Sequence, residues 1–132
     1  MATVPLLSDE EAPAESRAVF EAIRAARGTD YVNNFWRALA HDPALLRATW
    51  ERLSAVMGPG TLDPLVKEMV YLAVSTANGC SYCVHSHTAA ARAKGMTPAQ
   101  HAELLAVIAM ASQTNALATA LAVPVDARFM EG

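Results

Sequence analysis

Three times along the chain a capping side chain is followed at once by proline: Asp42-Pro43, Asp63-Pro64 and Thr97-Pro98. An Asp or Thr side chain accepts hydrogen bonds from the free N–H groups that open a helix. Proline at the first helical position loses nothing, because the N–H it lacks would be unbonded there. Each pair therefore starts a helix, and Gly28, Gly58, Gly79 and Gly95 mark stops at the ends of apolar segments.

Helical periodicity fills the intervals. Ser8 and Glu11 have capping-box spacing, and from Pro13 to Arg27 the residues Val19, Phe20, Ile23 and Ala26 recur on one face. A short helix carries Val32, Phe35, Trp36 and Leu39, and the next runs from Pro43 through Leu46, Trp50, Leu53 and Met57. Helices are then expected from Pro64 to Asn78-Gly79, from Cys80 to Gly95, from Thr97-Pro98 (with Gln100 in the box position) through Leu104, Leu105 and Ile108, and from Asn115 to Val123. This predicts an all-α fold, a single-domain bundle of about six or seven helices over residues 1–132. Gly58-Pro59-Gly60 breaks the pattern most clearly but is too short for an interdomain linker.

Composition supports this reading, since 53% hydrophobic residues in 132 suffice for one core. A net charge of -3, with the ten basic residues scattered singly, argues against nucleic acid as a partner. No signal-like leader and no apolar run of membrane-spanning length is seen, so the expected location is cytoplasmic. In that compartment a structural disulfide is improbable. The two cysteines, Cys80 and Cys83, are then catalytic, redox-cycling or metal-binding.

If a helix begins at Cys80, about 100° of rotation per residue puts Cys80, Cys83 and His87 within about 60° of one another. The thiolate is the reactive form of cysteine, and a helix N-terminus beside an imidazole favours it. A disulfide can close across this i, i+3 pair, and His87, one turn beyond Cys83, can move a proton to or from its sulfur or a shared water. A four-ligand zinc site with His85 is disfavoured, because His85 lies about 200° around the helix from Cys83. His85 reads as structural or at a pocket rim, and His41 and His101 as solvated.

Glu68 falls between Leu65 and Leu72 in an apolar stripe, where a carboxylate is costly unless paired. Desolvation is expected to raise its pKa and give a base poised nearer neutrality. The tight junction at Gly79 folds the two helices against each other and can bring Glu68 level with His87. An ordinary salt bridge for Glu68, or a core histidine bonded to a carbonyl for His87, would look the same in sequence. Met69, Tyr71 and Tyr82 are either packing residues or the lining of an access channel.

The pattern Glu68-x11-Cys80-x2-Cys83-x3-His87, with Asp63-Pro64, Glu68-Met69, Asn78-Gly79 and Lys94-Gly95 around it, resembles the alkylhydroperoxidase D core of the carboxymuconolactone decarboxylase superfamily over residues 40–110. The resemblance implies an AhpD-like helical domain that forms a homo-oligomer, a trimer or hexamer. It implies a peroxiredoxin-type oxidoreductase, either an alkyl hydroperoxide-reducing peroxidase or a disulfide reductase. Cys83 would be peroxidatic, Cys80 resolving, and Glu68 and His87 the proton relay. Position alone points the other way for the thiols, because Cys80 is nearer the helix N-terminus. Some relatives carry a histidine between the cysteines where this chain has Tyr82.

A hydroperoxide would be the oxidant, and an external dithiol, a lipoyl-bearing protein or a thioredoxin-type donor the reductant. No flavin, nicotinamide or heme motif is visible, so no cofactor and no metal are expected. Two other readings remain open: a lactone decarboxylase-type acid-base enzyme, and a non-catalytic helical oligomer that senses oxidants through its disulfide.

Overall fold

The computed structural model describes residues 1–130, and among these there are six α-helices, one 3-10 turn and no strand. Packing divides the chain at Gly58 into two compact units, the second beginning at Pro59.

The first unit holds α1 (Ala14–Arg27), α2 (Asn34–Leu39) and α3 (Pro43–Met57). Its core joins Val19, Phe20 and Ile23 of α1 to Val32, Trp36, Ala40 and Leu46, with Leu39, Trp50 and Leu53 packed at the edge. Trp36 and Trp50 meet edge to face with centroids 5.4 Å apart. The one buried polar side chain of this core, Ser16, donates to the Ala40 carbonyl at 2.8 Å, which offsets the cost of burying its hydroxyl. Asp9 accepts from both Arg24 and Arg37. Two expectations differ here. Ser8 and Glu11 do form their reciprocal bonds, yet these close a separate turn, and α1 starts after Pro13 without a side-chain cap. Phe35 and Ala26 are exposed rather than in the core.

The second unit holds α4 (Pro64–Ala77), α5 (Ser81–Ala93), α6 (Pro98–Ala120) and the 3-10 turn Ala127–Phe129. Asp63 accepts the Leu65 N–H at the start of α4, and Thr97 with Gln100 forms a complete capping box on α6. Between α4 and α5 only Asn78, Gly79 and Cys80 intervene. Gly79 takes a left-handed φ of 68°, which a residue with a Cβ adopts at a cost of about 1 kcal/mol. This tight corner returns α5 along α4, and α6 packs on α4 as well. The expected break before Asn115 is absent, and α6 is continuous for 23 residues. No Gly or Pro interrupts Ser112-Gln113-Thr114-Asn115, and Thr114 folds its hydroxyl back onto the Met110 and Ala111 carbonyls. A polar stretch alone does not end a helix.

Candidate active site

The site is built entirely on the α4–α5 hairpin of the second unit. Cys80 is the N-cap of α5, its backbone N–H held by the Ser75 carbonyl at 3.0 Å. Its sulfur accepts the N–H of Cys83 at 3.3 Å, where a Ser or Asp oxygen would stand in an ordinary cap. Cys80 and Cys83 are joined as a disulfide, their Cα atoms 5.3 Å apart. Both are partly accessible rather than sealed in the core.

Glu68 is 4% exposed, on the face of α4 that also buries Leu72 and Ser75. Its Oε2 lies 2.6 Å from Nδ1 of His87, and its Oε1 accepts from Nζ of Lys94 at 2.8 Å. Each carboxylate oxygen thus has its own donor. Burial, the largest single influence, pushes the Glu68 carboxyl up, but the hydrogen bonds from His87 and Lys94 and the charges of both outweigh it. Its pKa is held below the usual glutamate range. The expected raised pKa is thus corrected: desolvation acts in that direction, but His87 and Lys94 together reverse it.

The ionised carboxylate fixes the imidazole. A carboxylate can only accept, so Nδ1 of His87 carries the proton and Nε2 is the nitrogen left for exchange with a thiol or a bound molecule. Tyr71, one turn after Glu68 on α4, stacks on the His87 ring with centroids 3.6 Å apart and planes 20° from parallel. The ring is held on its edge by the hydrogen bond to Glu68 and on its face by the Tyr71 ring.

Of the four residues singled out from the sequence, Glu68 and His87 are in direct contact and Cys80 and Cys83 are bonded to each other. His87 follows Cys83 by one turn of α5. His85 points elsewhere, its Nδ1 donating to the Ser81 carbonyl at 2.9 Å, and it is exposed. His41 bonds the Pro5 carbonyl in the first unit. No group of three or more His, Cys, Asp or Glu suited to a metal ion occurs among the described residues. Lys94 enters the sequence reading only within the Lys94-Gly95 pair of the family-like pattern, with no role of its own. Its spacing was the available signal, since Cys80, His87 and Lys94 recur at i, i+7 and i+14 on one helix face.

The α4–α5 hairpin thus sets a cysteine pair at a helix N-terminus and a carboxylate–imidazole pair one turn further along. The model of the carboxymuconolactone decarboxylase family matches residues 43–126, and the chain belongs to that family. The crystal structure of an alkylhydroperoxidase AhpD core from Rhodospirillum rubrum superposes with a TM-score of 0.95 at 67% identity, covering 98% of each chain. The alkyl hydroperoxide reductase AhpD of Maricaulis maris is 34% identical over 120 residues, 85% of this chain and 66% of that protein. The AhpD of Azorhizobium caulinodans is 34% identical over 103 residues, 71% of this chain and 54% of that protein. The chain therefore spans about two-thirds or less of these full-length relatives. Among the described residues no helix is long and apolar enough to cross a membrane.

Proposed function

We propose that this protein is a dithiol peroxidase that reduces alkyl hydroperoxides, or the equivalent disulfide reductase, cycling Cys80 and Cys83 between dithiol and disulfide. The observation that carries the reading is the Glu68–His87 hydrogen bond, made one turn along α5 from the joined cysteines. A structural disulfide has no use for a buried carboxylate that fixes the tautomer of a nearby histidine.

In the proposed cycle His87 Nε2 takes the proton of Cys83, and the thiolate attacks the distal oxygen of the hydroperoxide. The O–O bond breaks, Cys83 becomes a sulfenic acid, and the departing alkoxide takes the proton from His87 to leave as an alcohol. Cys80 then attacks the Cys83 sulfur. The S–O bond breaks, hydroxide leaves as water with the Cys80 proton, and the disulfide forms. The Cys83 N–H directed at the Cys80 sulfur stabilises charge on Cys80, which suits the resolving thiolate and the leaving group when the disulfide is reopened. An external dithiol, lipoyl-bearing or thioredoxin-type, supplies two electrons and two protons to close the cycle. A reducing, cytoplasmic setting suits this step.

The reading treats residues 1–132 as one functional domain that works as a homo-oligomer, a trimer or hexamer. Support for association comes from two exposed apolar stripes in the second unit. One is Val66, Val70 and Val74 on α4, and the other Val107, Met110, Leu117 and Leu121 along α6 and its cap. The test is consumption of an alkyl hydroperoxide by the full chain with a dithiol donor. Turnover in the wild type that is absent in Cys83→Ser supports the proposal, and turnover that survives in Cys83→Ser overturns it.

A further inference from the structure

We propose that Lys94 is a positioning residue of the relay, holding Glu68 locked on His87 while balancing its charge, so that His87 works as a neutral base rather than a trapped imidazolium. The proposal rests on the reading of Glu68 and His87 as a proton relay.

Geometry provides the first support. Lys94 is the C-cap residue of α5, its backbone N–H bonded to the Ala90 and Ala91 carbonyls, so the stem of its side chain starts from a fixed point. From there Nζ reaches 2.8 Å from Oε1 of Glu68, the oxygen that His87 does not use. A lysine at a helix C-terminus ordinarily extends into water beside the last carbonyls. This one turns onto a buried carboxylate of the preceding helix, 26 residues away in sequence.

Charge provides the second. A carboxylate paired with an imidazole alone favours the imidazolium, because an opposite charge at hydrogen-bond distance stabilises the protonated form. An imidazolium cannot accept a thiol proton. With Lys94 on the other oxygen the carboxylate is already neutralised, and a second positive charge on His87 would face the ammonium. Glu68 still accepts from Nδ1 and orients the ring, while Nε2 keeps its lone pair.

The other titratable groups nearby leave this balance to Lys94. Tyr71 of α4 stacks on the ring, and Cys80 and Cys83 share the face of α5. His85 is bonded to Ser81 and Arg92 is exposed. On α6, which also packs on α4, His101 and Glu103 make no hydrogen bond to Glu68 among the described residues.

The test is a nitrogen-15 NMR titration of the His87 ring in the reduced full chain, for wild type, Lys94→Met and Lys94→Arg, beside the pH profile of hydroperoxide turnover. In wild type and Lys94→Arg the ring titrations are expected to coincide, the neutral form carrying its proton on Nδ1. In Lys94→Met the imidazolium is expected to persist about one pH unit higher, a roughly tenfold change in its ratio to the neutral form. Turnover of Lys94→Met should fall at neutral pH and recover at alkaline pH, whereas a merely structural role would lower it equally across the profile. Coincident His87 titrations in all three proteins overturn the proposal. If the wild type turns over no hydroperoxide, the functional reading fails while the ring titration still decides the role of Lys94. Should Lys94→Met not fold, Lys94→Gln, which keeps a donor for Oε1 but no charge, is expected to titrate like the Met variant, and its matching wild type counts against the charge argument.

Discussion

Glu68 combines two properties that oppose each other in most proteins, near-complete burial and a full negative charge. Two donors resolve the conflict, one per oxygen. Its pKa is depressed on folding, so it contributes stability above the ordinary glutamate range, near 4.5, and that contribution is lost as pH falls from there through its lower folded value. Urea unfolding of wild type and Glu68→Gln should therefore differ most at neutral pH, and the gap should shrink below pH about 4.5; a gap that widens on acidification would mean the charge is unfavourable in the native state. Turnover in Glu68→Gln is expected to fall by about a hundredfold or more, the range for losing positioned acid-base catalysis, as read by steady-state hydroperoxide consumption. The four residues were legible because their spacing put two sulfurs and an imidazole on one helix face and a carboxylate in an apolar stripe. The charge state of Glu68 was not, since it depends on Lys94, and nothing in a cap lysine by itself says which way its side chain turns. Tyr71 was seen as a pocket or core residue, but its stacking on His87 needs both helices in place.

Among the elements, the hairpin at Gly79 has the most consequence. Its left-handed backbone has open space around the missing Cβ, so Gly79→Ala meets strain and no clash. The expected cost is about 1 to 2 kcal/mol by chemical denaturation, with Glu68 and His87 pulled out of register and turnover reduced; an unchanged midpoint would show that the corner tolerates a side chain. Helix starts were well marked in the sequence because an Asp or Thr before proline has a single local explanation, and Asp42, Asp63 and Thr97 all cap as expected. Helix ends were legible where glycine closes them. A separate helix was expected from Asn115, but side chains such as those from Ser112 to Asn115 also tolerate a helix when no Gly or Pro stops it. The Ser8–Glu11 box misled for a related reason: reciprocal bonds can close one turn without propagating a helix.

At the scale of the whole molecule, α6 has no buried residue along its 23 positions and exposes an apolar stripe. A second copy covering that stripe would remove it from water, and this supports the proposed homo-oligomer. Light scattering on Met110→Arg/Leu117→Arg should show a smaller species than wild type, with the helical content retained; an unchanged mass would place any interface elsewhere. The homo-oligomer was expected from family likeness, and sequence periodicity alone could not show which face of α6 stays open. The central claim is that Cys80 and Cys83 are a working redox pair served by Glu68 and His87. The most direct measurement is a stopped-flow reaction of the reduced protein with excess alkyl hydroperoxide, followed by mass spectrometry of the peptide spanning both cysteines. Rapid formation of the Cys80–Cys83 disulfide, with a trappable sulfenic acid on Cys83 in Cys80→Ser, is the predicted result, and two cysteines left as free thiols would contradict it.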